Sequence, residues 1–179
     1  MARNQKEYIG LLGGSFDPAH DGHLGISKIA IKKLKLRKIY WVITKKNPFK
    51  KDAFYSLDER IKRAKKITKA LKKIKPIYID NIIKSSRIID VIDYFVKKKK
   101  INNIYFIIGS DNLAQFHKWK SWKKIVKLVK LVVFSRRGYD RIGKKSIVVK
   151  NYKNRIIFIK NKPISISSSQ LKKRTKLNI

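Results

Sequence analysis

Apolar residues along this chain alternate between two patterns. Six short runs are almost continuously apolar and rich in β-branched or aromatic residues: Tyr8 to Leu12, Ile39 to Ile43, Ile77 to Ile79, Ile104 to Ile108, Leu128 to Phe134 and Arg155 to Ile159. A strand reads this way when both of its faces are covered. Between these runs the period lengthens to that of a helix. His23 to Leu34 places Ile26, Ile29, Ala30 and Leu34 on one face, and Leu57, Ile61, Ala64, Ile67, Leu71 and Ile74 form a cleaner stripe. Ser56-Leu57-Asp58-Glu59 predicts the start of that second helix as a capping box, in which Ser56 accepts from the third amide and Glu59 reaches back. A third helix is predicted from Ser86 to Lys97, with Ile88, Ile89, Ile92, Phe95 and Val96 inward, and a short one from Trp122 to Val126.

Strand and helix in alternation predict an α/β fold, a doubly wound, Rossmann-like parallel sheet of five to six strands with helices on both faces. No internal repeat or linker divides the chain, so residues 1–179 are expected to form a single domain. In an open parallel sheet, ligands bind beyond the carboxyl ends of the strands, near the point where the strand order reverses. Chemistry is therefore sought in Gly13 to His23, Thr44 to Lys50, Gly109 to Trp119 and the Ser-rich Ile164 to Arg174.

Composition narrows the class. The 43% hydrophobic content is that of a globular protein, and no run approaches the ~18 uninterrupted apolar residues of a membrane helix. The first apolar run is short, breaks at Gly13-Gly14 and lacks a small-residue cleavage site, which argues against a signal peptide. With no cysteine there is no disulfide framework, thiolate zinc site or cysteine nucleophile, in keeping with a cytoplasmic location. A net charge of +36 raises the possibility of a basic nucleic-acid-binding protein. The lysines, however, are spread over nearly every segment alongside abundant Ile and Asn, the pattern of a solvated face rather than a phosphate-tracking stripe. The sequence sets no oligomeric state.

The segment GGSFDPAHDGH, residues 13 to 23, holds two of the three histidines and three of the eight glycines. It is neither the dinucleotide G-x-G-x-x-G nor a G-x-x-x-x-G-K-[ST] phosphate loop. It is a strand, a Gly-Gly turn and then Ser15-Phe16-Asp17-Pro18, whose main-chain amides can face a phosphate. His20 and His23, three apart on a helix's first turn, point to one side, and Gly22 between them permits close approach of a ligand. Two imidazoles beside a phosphate-sized nest suggest donors to phosphoryl oxygens. A zinc pair is the competing reading, but the only other histidine is His117 and no carboxylate keeps H-E-x-x-H spacing. In the plainest reading, one histidine caps the helix and the other lies on the surface.

GGSFDPAHDGHLG at 13 to 25 resembles the signature of the nucleotidyltransferases with an (H/T)-x-G-H motif, matched in full by His20-Asp21-Gly22-His23. Further segments resemble the bacterial nicotinate-nucleotide adenylyltransferase family, in order and over almost the whole chain: WVITKKNPFK at 41 to 50, FIIGSDNLAQFHKW at 106 to 119, VVFSRRGYD at 132 to 140 and ISSSQLKKR at 166 to 174. The resemblance implies one nucleotidyltransferase domain with strand order 3-2-1-4-5. It also implies attack of the 5′-phosphate of nicotinate mononucleotide on the α-phosphorus of ATP, giving nicotinate adenine dinucleotide and pyrophosphate in NAD biosynthesis.

On the same resemblance, His20 and His23 serve the phosphates. Gly13, Gly14, Ser15, Phe16, Gly109, Asp111, Ser167, Ser168, Ser169, Lys172 and Arg174 would contact ATP, with Asp111 an acceptor for ribose hydroxyls. Lys50, Ile88, Trp119 and Arg136 would contact the nicotinate nucleotide, Trp119 by stacking on the pyridine ring unless it is core packing shared with Trp122 on one helix face. Mg²⁺ would ride on the ATP phosphates with few or no protein ligands.

Three departures stand out. Lys172 replaces the family's Arg, with Arg174 two residues on; Arg87-Ile88-Ile89-Asp90-Val91 keeps only the aspartate of Y-T-x-D-T; Arg137 replaces a proline. These bear on the choice between nicotinate and nicotinamide mononucleotide more than on the reaction type. Pantetheine-phosphate adenylyltransferase, of the same fold, has a similar first motif, but segments 106 to 119 and 166 to 174 favour the nicotinate enzyme.

Overall fold

A computed structural model describes residues 7–45 and 53–161. Its strands are β1 (Ile9–Gly14), β2 (Lys38–Ile43), β3 (Ile74–Ile77), β4 (Ile104–Gly109), β5 (Lys130–Phe134) and β6 (Ile156–Ile159). Its helices are α1 (Asp21–Leu34), α2 (Leu57–Thr68), α3 (Asp80–Ile83), α4 (Ile88–Lys97), α5 (Ser110–Gln115), α6 (Trp122–Leu128), α7 (Asp140–Lys144) and α8 (Ile147–Tyr152). The strands form one sheet in the order β3-β2-β1-β4-β5-β6, with every neighbouring pair parallel. The order runs outward in one direction from β1 and in the other from β4, so the switch point lies between the ends of β1 and β4. Among the described residues, no helix is long and apolar enough to cross a membrane.

Two cores flank this sheet, as continuous apolar strands require. Leu11, Val42, Phe106, Ile108, Leu131 and Val133 face one of them, against Ile89, Ile92 and Phe95 of α4 and Ile125 and Val126 of α6. Their chain neighbours Leu12, Trp41, Ile43, Ile107, Val132 and Phe134 face the other, against Ile26 and Ala30 of α1 and Ala64 of α2. The period-two alternation thus runs inside strands that read as unbroken apolar runs.

The capping box at α2 is present: Ser56 Oγ accepts from the Glu59 amide, and the Glu59 carboxylate accepts from the Ser56 amide. The stripe does not continue to Ile74. α2 ends at Thr68, whose hydroxyl turns back onto the Ala64 carbonyl. Turns closing on Thr68 and Leu71 then deliver Ile74 to the edge of β2, where the Ile39 amide bonds Lys73. The third strand is therefore Ile74–Ile77 rather than Ile77 to Ile79, and Pro76 is tolerated because β3 is an edge strand. Trp119 and Trp122 do not share a helix face. Trp119 ends a 3₁₀ turn and packs on Phe116 and Phe106, whereas Trp122 opens α6 and meets Tyr152 edge-on. α3, α5, α7 and α8 are too short for a hydrophobic period to announce them.

Candidate active site

β1 delivers Gly13 and Gly14 to the switch point, and the chain turns through Ser15 to Ala19 into α1. Phe16 sits in the left-handed region at φ 48°, which costs a non-glycine residue about 1–3 kcal/mol unless neighbours enforce it. Its ring stacks on Trp41, 5.0 Å between centroids, and Trp41 is itself anchored by donating to Ser27 Oγ on α1 at 2.9 Å. Asp17, buried, accepts the amides of Phe54 and Tyr55 at 2.8 and 2.9 Å, fastening this turn to the entrance of α2.

The two histidines cap α1 reciprocally. His20 is the N-cap; its Nδ1 accepts the Gly22 amide at 3.0 Å, and its own amide donates to Nδ1 of His23 at 3.2 Å. The rings lie 4.0 Å apart, and His23 also rests on Phe16 at 4.7 Å. The plain reading, one histidine capping and one idle, gives way to a device in which both cap. With both Nδ1 lone pairs used, each neutral ring carries its proton on Nε2. The pair is thus a pair of donors held by helix geometry. Aspartate, asparagine or serine would cap as well but would project no second nitrogen.

Across the switch point, a crevice of about 260 Å³ is lined by Gly22 and Ile26 of α1, Gly109 at the end of β4 with Asp111 just beyond it, and Arg136 and Tyr139 after β5. A Cβ on Gly109 would lie 2.2 Å from Asp111 Oδ1 and 3.1 Å from Arg136 Cγ, so only glycine lets the carboxylate fold over the strand end. That oxygen is buried with no hydrogen-bond partner among the described residues. The Arg136 amide donates to Ser110 Oγ at 2.9 Å and to Asp140 at 3.0 Å, and the Ser110 hydroxyl donates to the same carboxylate at 2.6 Å. The Ser110 hydrogen bond, supported by the Arg136 amide, holds the Asp140 carboxyl below its ordinary value. Neither Ser110 nor Asp140 announces itself in the sequence; the signal was available only as hydroxyl and carboxylate just past consecutive strands.

On the opposite face of the sheet, the position of a Gly13 Cβ would be 3.8 Å from both Ile88 and Phe106, and Phe106 in turn contacts Trp119 at 6.1 Å between centroids. Gly13 and Ile88 are neighbours there, and Phe106 stands between Gly13 and half-buried Trp119; none of the three predicted residues lines the crevice that gathers Gly109, Asp111 and Arg136. In the first turn of α4, Asp90 accepts from Ser85 Oγ at 2.6 Å and from Arg87 Nε at 2.7 Å. Burial works against its charge, but these two bonds prevail and lower its pKa. Lys50, Ser167, Ser168, Ser169, Lys172 and Arg174 lie outside the described residues.

The crevice thus gathers Asp111, with a carboxylate oxygen that meets no partner among the described residues, and Arg136 at the ends of parallel strands; of the histidine cap, Gly22 lines it, while His20 and His23 flank that glycine in the chain. The chain belongs to the cytidylyltransferase-like family, whose model matches residues 11–174. It is 51% identical over 172 residues, 95% of each chain, to a probable nicotinate-nucleotide adenylyltransferase of Pelagibacter ubique (strain HTCC1062). It is 31% identical to one of Endomicrobium trichonymphae, covering 94% of this chain and 86% of that one. Among solved structures, the fold matches that of the Plasmodium falciparum nicotinic acid mononucleotide adenylyltransferase complexed with NaAD, with a TM-score of 0.72, 20% identity and coverage of 93% and 83% of the two chains.

Proposed function

We propose that this chain is a nucleotidyltransferase that joins the AMP moiety of ATP to nicotinate mononucleotide, releasing pyrophosphate. A phosphate oxygen of the mononucleotide forms a bond to the α-phosphorus, the bond from that phosphorus to the bridging oxygen breaks, and its electron pair leaves with pyrophosphate. Neither partner needs a protein nucleophile, so catalysis consists of alignment and charge stabilisation. The observation that carries the reading is the reciprocal histidine cap: two adjoining rings whose Nδ1 atoms are taken by helix amides, on either side in the chain of Gly22, which lines the crevice.

In this reading, His20 and His23 donate to the phosphates, with His23 acting on the α-phosphate as charge accumulates, an effect worth on the order of 10²–10³ in rate. Amides of the Gly14 to Phe16 turn add fixed dipoles. Asp111, its Oδ1 over Gly109 and without a partner among the described residues, accepts from a ribose hydroxyl. Trp119 offers a ring face to the pyridine beside Ile88, and Arg136 offers charge to an anionic group. Mg²⁺ neutralises charge on the triphosphate.

The test is pyrophosphate release from Mg-ATP offered separately with nicotinate mononucleotide, nicotinamide mononucleotide and phosphopantetheine. Turnover chiefly with the first is expected; turnover chiefly with either of the others contradicts the substrate assignment.

A further inference from the structure

Arg60 on α2 is only 2% exposed, yet none of its donors meets a carboxylate among the described residues. Its guanidinium instead serves four backbone carbonyls: Nη1 donates to Ser15 and Thr44, both at 2.8 Å, Nη2 to Lys45 at 3.2 Å and Nε to Tyr55 at 3.2 Å. These carbonyls belong to the turn after β1, the turn after β2 and the entrance of α2. Burial lowers the Arg60 pKa, and Asp17 and Asp80 oppose this only through space. A cation buried at such cost calls for a reason beyond packing, since an apolar side chain of similar volume is often as stable or more so.

The reason lies in what each carbonyl carries with it. In a trans peptide, the C=O and the following N–H point in opposite directions. The Thr44–Lys45 peptide displays this directly: its carbonyl turns to Arg60 while the Lys45 amide, on the far side, donates to Asp80 Oδ2 at 3.0 Å. The Ser15–Phe16 peptide obeys the same rule. With the Ser15 carbonyl held by Arg60, the Phe16 amide points away from the guanidinium and the packed side of the turn. Phe16 is also the residue in the left-handed conformation and the ring beneath His23.

We propose that Arg60 is a positioning residue for adenylyl transfer: by holding the Ser15 carbonyl inward, it aims the Phe16 amide at the α-phosphate and keeps the Phe16 ring under His23. This inference rests on the phosphate-binding reading of the turn given above. Arg60 touches no substrate and acts through one peptide group. Lysine cannot replace it, because a single ammonium cannot span four carbonyls that a planar fork reaches at once.

The test is Arg60→Lys, assayed with Mg-ATP and nicotinate mononucleotide against the parent, with thermal unfolding in parallel. The expected result is a folded protein whose kcat per folded molecule falls about 10²-fold, the loss of one aimed donor, while KM for both substrates changes little. A variant with lowered unfolding temperature but unchanged kcat per folded molecule overturns the proposal and leaves Arg60 a structural clamp. If Arg60→Lys does not fold, the parent decides. Its Phe16 amide resonance is expected to shift on addition of Mg²⁺ with α,β-methylene-ATP, and an unmoved resonance overturns the proposal. A parent that releases no pyrophosphate with any acceptor removes the functional reading itself, a result distinct from an active parent matched by its variant.

Discussion

The backbone amide of His20 donates to Nδ1 of His23, 3.2 Å away, so the first turn of α1 sets the tautomer of the neutral His23 ring. His20 is fixed in the same way through the Gly22 amide. Neutral imidazoles in solution favour neither nitrogen strongly, but here an Nδ1 proton would displace an amide donor and leave a helix N–H unsatisfied. Side-chain ¹⁵N spectra of the protein above the histidine titration range are expected to show the Nε2–H tautomer for both residues. An Nδ1–H signal from His23 contradicts the donor role.

Gly109→Ala is expected to impair ATP rather than the fold. The added carbon would meet Asp111 Oδ1 at 2.2 Å, and the carboxylate must swing aside. A hydrogen bond to a charged group contributes about 1.5–3 kcal/mol, so KM for ATP should rise roughly tenfold or more while KM for nicotinate mononucleotide stays near the parent value. Steady-state kinetics with each substrate varied in turn provides the check.

For the other substrate, the ring of Trp119 is the residue to change. Aromatic pairs contribute about 0.5–1.5 kcal/mol, and Trp119→Ala should therefore raise KM for nicotinate mononucleotide about threefold to tenfold, with Trp119→Phe close to the parent. Trp119 also packs on Phe116 and Phe106, so the alanine variant should unfold at lower temperature as well. Equal KM values in all three proteins would assign Trp119 to the core alone.

Acid should loosen the join between β4 and β5. The Asp140 carboxyl is held below its ordinary value of 3.8 by the Ser110 hydroxyl and then the Arg136 amide. A carboxyl with a lowered folded pKa contributes stability in full above its unfolded value and loses it as pH falls through the folded one. In urea unfolding, the parent is expected to exceed Asp140→Asn in stability near neutral pH. That difference should shrink as pH falls below about 4.

Much of this was legible in the sequence, and what was not has identifiable causes. The β1 to α1 turn was readable because Gly13-Gly14 and the paired histidines are scarce residue types placed together. Only half of the cap was: one histidine could be read as capping the helix, but that the second caps in return shows only when its Nδ1 meets the His20 amide. Ile74 fitted the α2 stripe by spacing, but tertiary pairing with Ile39 drew it into the sheet. The hydrogen bonds that tie the turns after the strands depend on proximity in space: Ser110 to Asp140 and Arg60 to Ser15 are 30 and 45 positions apart, and no local pattern encodes such pairs.

The most direct measurement is kcat of His23→Asn beside its thermal stability. Asparagine places an acceptor oxygen near the position of Nδ1, so it retains the cap, but it carries nothing where Nε2–H would reach a phosphate. The expected result is an unfolding temperature near that of the parent with kcat lowered on the order of 10²–10³. Parental kcat in this folded variant would contradict the assignment of the histidine pair as the phosphate donors.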